Sequence, residues 1–441
     1  MSLESLESLG SLERINIGGG IHINFVESDK FKQDYIRVNL ISRLETGVKA
    51  AKTALLAKVL MQGSANYPSM EKISKKLGYL YAAQAGAWAY KSGEAQIFSV
   101  YAQMLNNKYA PDNSDILGET LDVFADILMN PLIFGGEFKK DYTETEKTNL
   151  INEIHAQIND KGSYAYKKCI EAMCRGERFA VSGTGEIEDV EPIDGAALYG
   201  HYNYMLSRCA IEIFCVGRLT GKKQFLTDKF KGMFENTSRE KNLEDYSTEV
   251  ILKAENKGEI IEEMEVNQGK LVIGFRTGAS FKDADYGNFI LFNSLYGGSP
   301  TSKLFENVRE KLSLCYYCHS VPEGDKGIMS VVSGVEVENK QKAQDEILKQ
   351  LEEVKKGAFT GDEIEHARKS VINSYKSVYD NFAGISSWYL HFLMRGGVKT
   401  PEEMIADINK VSREGIIQAA GKLTLDAVYF LKGGETHNEE E

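Results

Sequence analysis

Apolar and polar positions along this chain run through one programme of elements and then through much of it again. Residues 21–26 and 35–44 read as strands separated by a polar turn at 27–34. Apolar residues then recur at helical spacing over 48–61, with Leu55, Leu56, Val59 and Leu60 on one stripe, and the pattern stops at Gly63. Pro68-Ser69 opens a short helix to Leu77. Strands follow at 81–90 and 94–103 about the turn Lys91-Ser92-Gly93, then helices over 114–129, 138–159, 164–174 and 194–205, and a strand at 210–216.

From Gly269 the order repeats. A strand at 270–276 leads to a helix over 283–296 that closes at Gly297-Gly298, and a second helix over 300–311 starts with Ser299 as cap and Pro300 in its first turn. Strands at 315–321 and 327–335 come next, then helices at 340–356, 361–380, 385–395 and 412–423 and a strand at 427–431. Two copies of one unit of about 200 residues account for the length, which is too great for one ordinary core. Antiparallel hairpins set apart from long helices predict an α+β fold: two tandem homologous domains, each a mainly antiparallel sheet packed against several helices. The boundaries expected are a disordered or appended tail at 1–14, a first domain at 15–235, a polar linker at 236–258 and a second domain at 259–441, with a solvated acidic end at 437–441.

Charge and composition narrow the function. The 441 residues carry a net charge of −12 with basic residues scattered rather than striped, which argues against nucleic acid as a partner. The longest apolar runs are strand-sized, far below the ~20 residues that span a bilayer, so no membrane segment is expected. The start of the chain is acidic where a signal peptide is basic, and six scattered cysteines suit a reducing cytoplasm better than a disulfide framework. The seven histidines show no His-x-x-x-His spacing, and Gly18-Gly19-Gly20 lacks a phosphate-loop lysine. Cys315 and Cys318 form a Cys-x-x-Cys, but on a strand residues three apart face opposite sides, so they read as strand packing. Neither Cys169 with Cys174 nor Cys209 with Cys215 makes a site. Arg309 and Tyr316 lie either side of a helix-to-strand turn and can point into one space; equally, Arg309 suits the helix dipole and Tyr316 is an ordinary strand aromatic.

Several stretches in order carry a resemblance: Gly274-Phe275, Asp283 to Tyr286, Leu295-Tyr-Gly-Gly, Ser302-Lys303-Leu304-Phe305, Val308-Arg309-Glu310-Lys311 and Leu314-Cys315-Tyr316. They resemble the C-terminal domain of the insulinase and mitochondrial-processing-peptidase family, the zinc peptidases with an inverted motif, and the doubled domain is itself a trait of that family. The resemblance implies a clamshell of two domains about a chamber. In active members His-x-x-Glu-His and a later glutamate hold zinc and supply the general base. Here Ala54, Ala57 and Lys58 stand at the motif positions, and Glu153 matches the remaining ligand. One carboxylate does not hold a catalytic zinc, so no metal is expected, and Glu153 and the neighbouring His155 read as structural or vestigial. The asparagine that active members place in the strand after the second helix is missing from Tyr81-Ala82-Ala83.

Arg309 and Tyr316 match an arginine and a tyrosine that, in the family, grip a substrate carbonyl and donate to the oxyanion. The family includes pairs in which one chain holds zinc and the other only this arginine and tyrosine. The resemblance therefore implies a zinc-less subunit with a homologous zinc-bearing partner, a peptide or small protein precursor as substrate, and a possible homodimer in isolation. Two other readings stay open: a scaffold that kept the fold and lost proteolysis, and a metalloenzyme using Glu153, His155 and a further ligand.

Overall fold

The computed structural model describes residues 12–255 and 257–433; the tail over 1–11 and the acidic end at 437–441 lie outside them. The chain has two sheet-bearing units. In the first, β1 (Glu13–Gly18), β2 (Ile21–Glu27), β3 (Gln33–Arg43), β4 (Gln84–Ser92), β5 (Ala95–Leu105) and β6 (Ala210–Gly217) form a sheet in the order β1-β2-β6-β3-β5-β4. In the second, β7 (Gly258–Met264), β8 (Gly269–Arg276), β9 (Cys315–Glu323), β10 (Ile328–Val335) and β11 (Thr424–Gly433) take the order β9-β10-β8-β11-β7. Each sheet has one parallel pair, β2 with β6 and β7 with β11, and every other neighbour is antiparallel. Counted from that pair, the five strands follow the same path in both units. The repeat seen in the apolar pattern is a repeat of topology, with β1 as an addition.

The central strands alternate between two apolar layers. Along β3, Ile36, Val38 and Leu40 join the core with Leu55, Leu56 and Phe98, while Tyr35 and Ile41 face the other side. Along β8, Leu271, Ile273 and Phe275 enter one core and Val272 the other. The first layer is covered by helices of the same half, among them α1 (Gly47–Leu60), whose cap Thr46 accepts the Lys49 N–H at 3.2 Å.

The second layer comes from elsewhere in the sequence. Contacts assign residues 155–180 to the second unit and 379–394 to the first. The long helix α2 (Lys140–Asn159) runs across the first of these boundaries. Helix α3 (Lys161–Met173) then packs Ala165, Cys169, Ile170 and Met173 on Val272, Tyr429 and Leu431. Gly274 makes room for it, since a Cβ there would stand 2.0 Å from the Met173 sulfur. In exchange, α4 (Phe382–Met394) lays Phe382, Ile385, Tyr389 and Leu390 on Val26, Tyr35, Phe214 and Val216. Arg37, buried on β3, donates to Ser387 of α4 at 2.9 Å and to Tyr90 at 2.8 Å, with its guanidinium 4.8 Å from the Trp88 ring centroid. Arg276 anchors the other exchange by donating to Glu177 at 2.6 Å and Asp426 at 2.8 Å.

The structure adds elements that the periodicity reading passes over. Lys223–Phe234 is a helix that buries Leu226, Phe230 and Phe234, four residues apart, and Pro401–Lys410 is a helix with a Thr400–Glu403 capping box. β1 takes Glu13 and Arg14 from the expected tail and turns into β2 through Gly18, Gly19 and Gly20, all at positive φ. The polar stretch after residue 235 forms no helix or strand before β7, among the described residues, yet it is pinned. The Arg239 side chain donates to the carbonyls of Gly19, Leu206 and Cys209, and Glu244 accepts from the Arg43 amide at 2.9 Å.

Two predictions follow from the packing. The Phe382 ring lies 4.1 Å from Phe31 and 5.7 Å from Tyr35, so Phe382→Ala is expected to cost about 3–5 kcal/mol in urea unfolding; a loss below ~1 kcal/mol would show that α4 does not anchor the sheet. His201 is buried with Nε2 2.9 Å from Thr53 Oγ1, and burial, aided by the charges of Lys52 and Lys49, pulls its pKa from 6.5 to about 3. Between those values only the unfolded chain binds the proton, so stability is full above the upper one and falls as pH drops below it, by up to ~1.4 kcal/mol per pH unit. The wild type should therefore lose more stability than His201→Gln between about pH 7 and pH 5; parallel losses would contradict it.

Candidate functional site

The degenerate metal motif lies on α1, where the core takes most of the helix. Ala54 and Ala57 are buried, and Lys58 in the last turn reaches out between α1 and α2. Its Nζ donates to Glu153 Oε1 at 2.5 Å, with the lysine side chain 26 % and the glutamate 58 % exposed. One turn along the same seam, Gln62 Nε2 donates to Glu146 Oε1 at 2.5 Å, and Asn149 donates to the other Glu146 oxygen at 3.2 Å. The seam is thus closed by a cation and an amide acting on two carboxylates.

This donor set does not fit zinc. Two methyl groups have no lone pair to offer, and the one carboxylate in ligand position already holds an ammonium. His155, two residues after Glu153 on α2, is exposed. Among the described residues no group of three or more His, Cys, Asp or Glu is placed to hold a metal ion. The signal for the Lys58–Glu153 pair in the sequence is the opposite charge at the two motif positions. Tyr81 and Ala82, expected in a strand, both take φ of 57° and form a left-handed turn, so β4 starts only at Gln84. Two consecutive non-glycine residues in that region cost about 1–2 kcal/mol each.

Arg309 and Tyr316 sit on irregular backbone in the second unit. The expected helix over 283–296 is α-helical only from Tyr286 to Asn293 and finishes as a π-turn over Ser294–Gly298. Ser299 is extended after it and does not cap the next helix, which is itself π-helical over Leu304–Lys311. Ser302 starts that helix instead, its carbonyl accepting the Glu306 N–H at 2.9 Å. A wider turn changes the direction in which a last-turn side chain leaves the axis, and π segments concentrate at functional sites. Arg309 leaves it with its guanidinium 4.6 Å from the Phe305 ring centroid and Nε 3.6 Å from Glu310 Oε1, its side chain 42 % exposed.

Ser313 then turns the chain at φ 48°, and β9 begins at the edge of its sheet. In the ladder Cys315 pairs with Val335 and Tyr317 with Gly334, so Tyr316 is an extra residue, a β-bulge, and is 69 % exposed. The bulge corrects the expectation that Cys315 and Cys318 face opposite sides: both are buried in one core. Arg309 lies near enough for its charge to act on the Cys315 thiol, next to Tyr316. Neither Arg309 nor Tyr316 is buried in a core, and one helix, turn and strand edge present both.

With this geometry in hand, comparison with known proteins places the chain. The family profile described as the Peptidase M16 inactive domain matches residues 192–371. The chain is 32% identical over 426 residues to the "Probable inactive metalloprotease YmfF" of Bacillus subtilis (strain 168), covering 95% of this chain and 97% of that protein. The crystal structure of a conserved protein from Enterococcus faecalis V583 superposes with a TM-score of 0.88 at 28% identity over 97% of this chain and 100% of that one. A peptidase M16 inactive domain from Pseudomonas fluorescens shares the fold at a TM-score of 0.78 and 16% identity, over 96% and 98% of the two chains. Related along nearly its whole length to a probable inactive metalloprotease, and carrying alanine, alanine and lysine where the zinc motif stands, the chain belongs to the M16 peptidase family as a zinc-less member.

Proposed function

We propose that this chain is the zinc-less subunit of a zinc metalloendopeptidase pair acting on peptides or a small protein precursor. The observation that carries the reading is an asymmetry within one chain. The metal positions are closed by the Lys58–Glu153 ion pair, while Arg309 and Tyr316 stay exposed on a π-helix and a bulge. A homologous partner holds the zinc, and this chain supplies the groups that meet the substrate. The Arg309 guanidinium grips a peptide carbonyl with two N–H donors, and the Tyr316 hydroxyl donates to the oxyanion that forms as the carbonyl becomes tetrahedral. Substrate strands have an open sheet edge to add to at β9, where Tyr316 itself sits. None of the six cysteines is joined in a disulfide, which suits a reducing compartment, and we place the pair in the cytoplasm.

The decisive assay mixes this chain with a zinc-bearing M16 partner and follows cleavage of an unfolded peptide. The mixture should turn over while either chain alone does not. Arg309→Ala or Tyr316→Phe should lower kcat by ~100-fold or more with the partner still bound. Unchanged turnover by the double variant would reject the assignment and favour a scaffold that kept the fold without the chemistry.

The Lys58–Glu153 pair gives a separate check. Both groups are partly exposed, so Lys58→Ala should lower stability by less than about 1 kcal/mol, and dialysis against a chelator should leave Tm unchanged. Stoichiometric zinc in the purified chain, removed by Glu153→Ala, would instead mark a metalloenzyme with other ligands.

A further inference from the structure

Residues three apart on a straight strand lie about 10 Å apart at Cα, beyond the reach of a disulfide. The bulge at Tyr316 removes that separation of faces. Cys315 pairs with Val335 and Cys318 with Ser333, and both enter the core with Leu304 and Val308, while Tyr317 packs against the opposite layer. Both sulfurs therefore lie on one side of the strand across the bulge, near enough for each to act on the titration of the other, with the buried Ser333 hydroxyl across the ladder from Cys318. The same hydroxyl donates to the Tyr317 carbonyl at 2.9 Å, which ties it to the strand at the bulge.

We propose that Cys315 and Cys318 form a redox-active dithiol, with Cys315 as the attacking sulfur, Cys318 as the resolving one, and a small disulfide as the oxidant. Cys315 attacks one sulfur of RS–SR, forming the Cys315–S–S–R mixed disulfide and releasing one thiolate. Cys318 then gives up its proton and attacks Cys315 Sγ, expelling the second thiolate. Two electrons and two protons pass to the oxidant, so RS–SR leaves as two RSH and the chain keeps an internal disulfide.

The surroundings distinguish these thiols from the others. The neighbouring Cys318 thiol, helped by Ser333 and the Arg309 charge against the effect of burial, brings the Cys315 thiol down to about 7, and Cys315 in turn raises Cys318. Burial pushes Cys169 and Cys209 up to about 12 and Cys215 higher still, which leaves them inert near neutral pH. Tyr316 is the bulged residue between the two sulfurs, so closing the bond tightens the segment that presents the phenol. On the function proposed above, turnover by the pair then depends on thiol redox state.

The test uses the full chain in buffers of reduced and oxidised glutathione, counting thiols by maleimide mass tagging and locating them by peptide mapping. Cys315 and Cys318 should be lost together as one internal disulfide, with Cys169, Cys174, Cys209 and Cys215 still titrating as thiols once the chain is denatured. Cys318→Ser should halt at glutathione joined to Cys315, and Cys315→Ser should slow oxidation of Cys318 by at least ~10-fold. Survival of both thiols until the chain unfolds, or earlier loss at the other four cysteines, would overturn the proposal. No readout involves peptide cleavage, so failure of the redox centre and failure of the peptidase pairing are told apart.

Discussion

A central strand such as β3, buried along its length, needs apolar cover on both faces, and in each unit one cover is drawn from the other half of the sequence. Helix α3 closes the outer layer on β8 and β11, and α4 closes the one on β3 and β6. Neither sheet completes its packing with the residues of its own half. Charged and hydroxyl groups fix each exchange in place: Arg276 on Glu177 for one, and Arg37 on Ser387 for the other. A buried ion pair adds little net stability over apolar packing, but removing one partner leaves a charge stranded. These contacts specify which segment covers which face more than they strengthen it.

The erased metal positions lie where that framework could tolerate their loss. α1 is held by Leu55, Leu56, Val59 and Leu60 in the main core, and the motif residues contribute only two small side chains and one lysine at the helix end. An exposed ion pair of the Lys58–Glu153 kind is worth at most about 1 kcal/mol. It neutralises the remaining carboxylate without carrying the fold.

The second unit departs from regular backbone around Arg309 and Tyr316. Two π-helical segments, a serine at positive φ and a bulged edge strand occur within thirty residues, between Ser294 and Glu323. Each costs hydrogen-bond geometry or conformational energy that a regular helix and strand would avoid. The same irregularity exposes the phenol and turns both cysteines inward. One distortion therefore has two structural effects: Tyr316 is exposed, and Cys315 and Cys318 enter the same core.

Much of this was legible in the residues themselves. Alternating and helical apolar spacing marked β2, β3, β8 and the long helices, because a half-buried element must repeat at its own period. The doubled order of elements showed the α+β repeat, and once the family resemblance marks 54, 57 and 58 as motif positions, alanine, alanine and lysine there imply the loss of zinc ligands by their chemistry. The helices at 223–234 and 401–410 carry sequence signals as well, a four-residue apolar period and a capping box. What the tertiary structure alone decided is what depends on partners distant in sequence. The exchange of α3 and α4, the parallel pairs β2–β6 and β7–β11, and the bulge that turns Cys315 and Cys318 into one core are set by packing and ladder register against strands and cores elsewhere in the chain. Local period cannot report them, since it records which face of an element is apolar and not what comes to cover it.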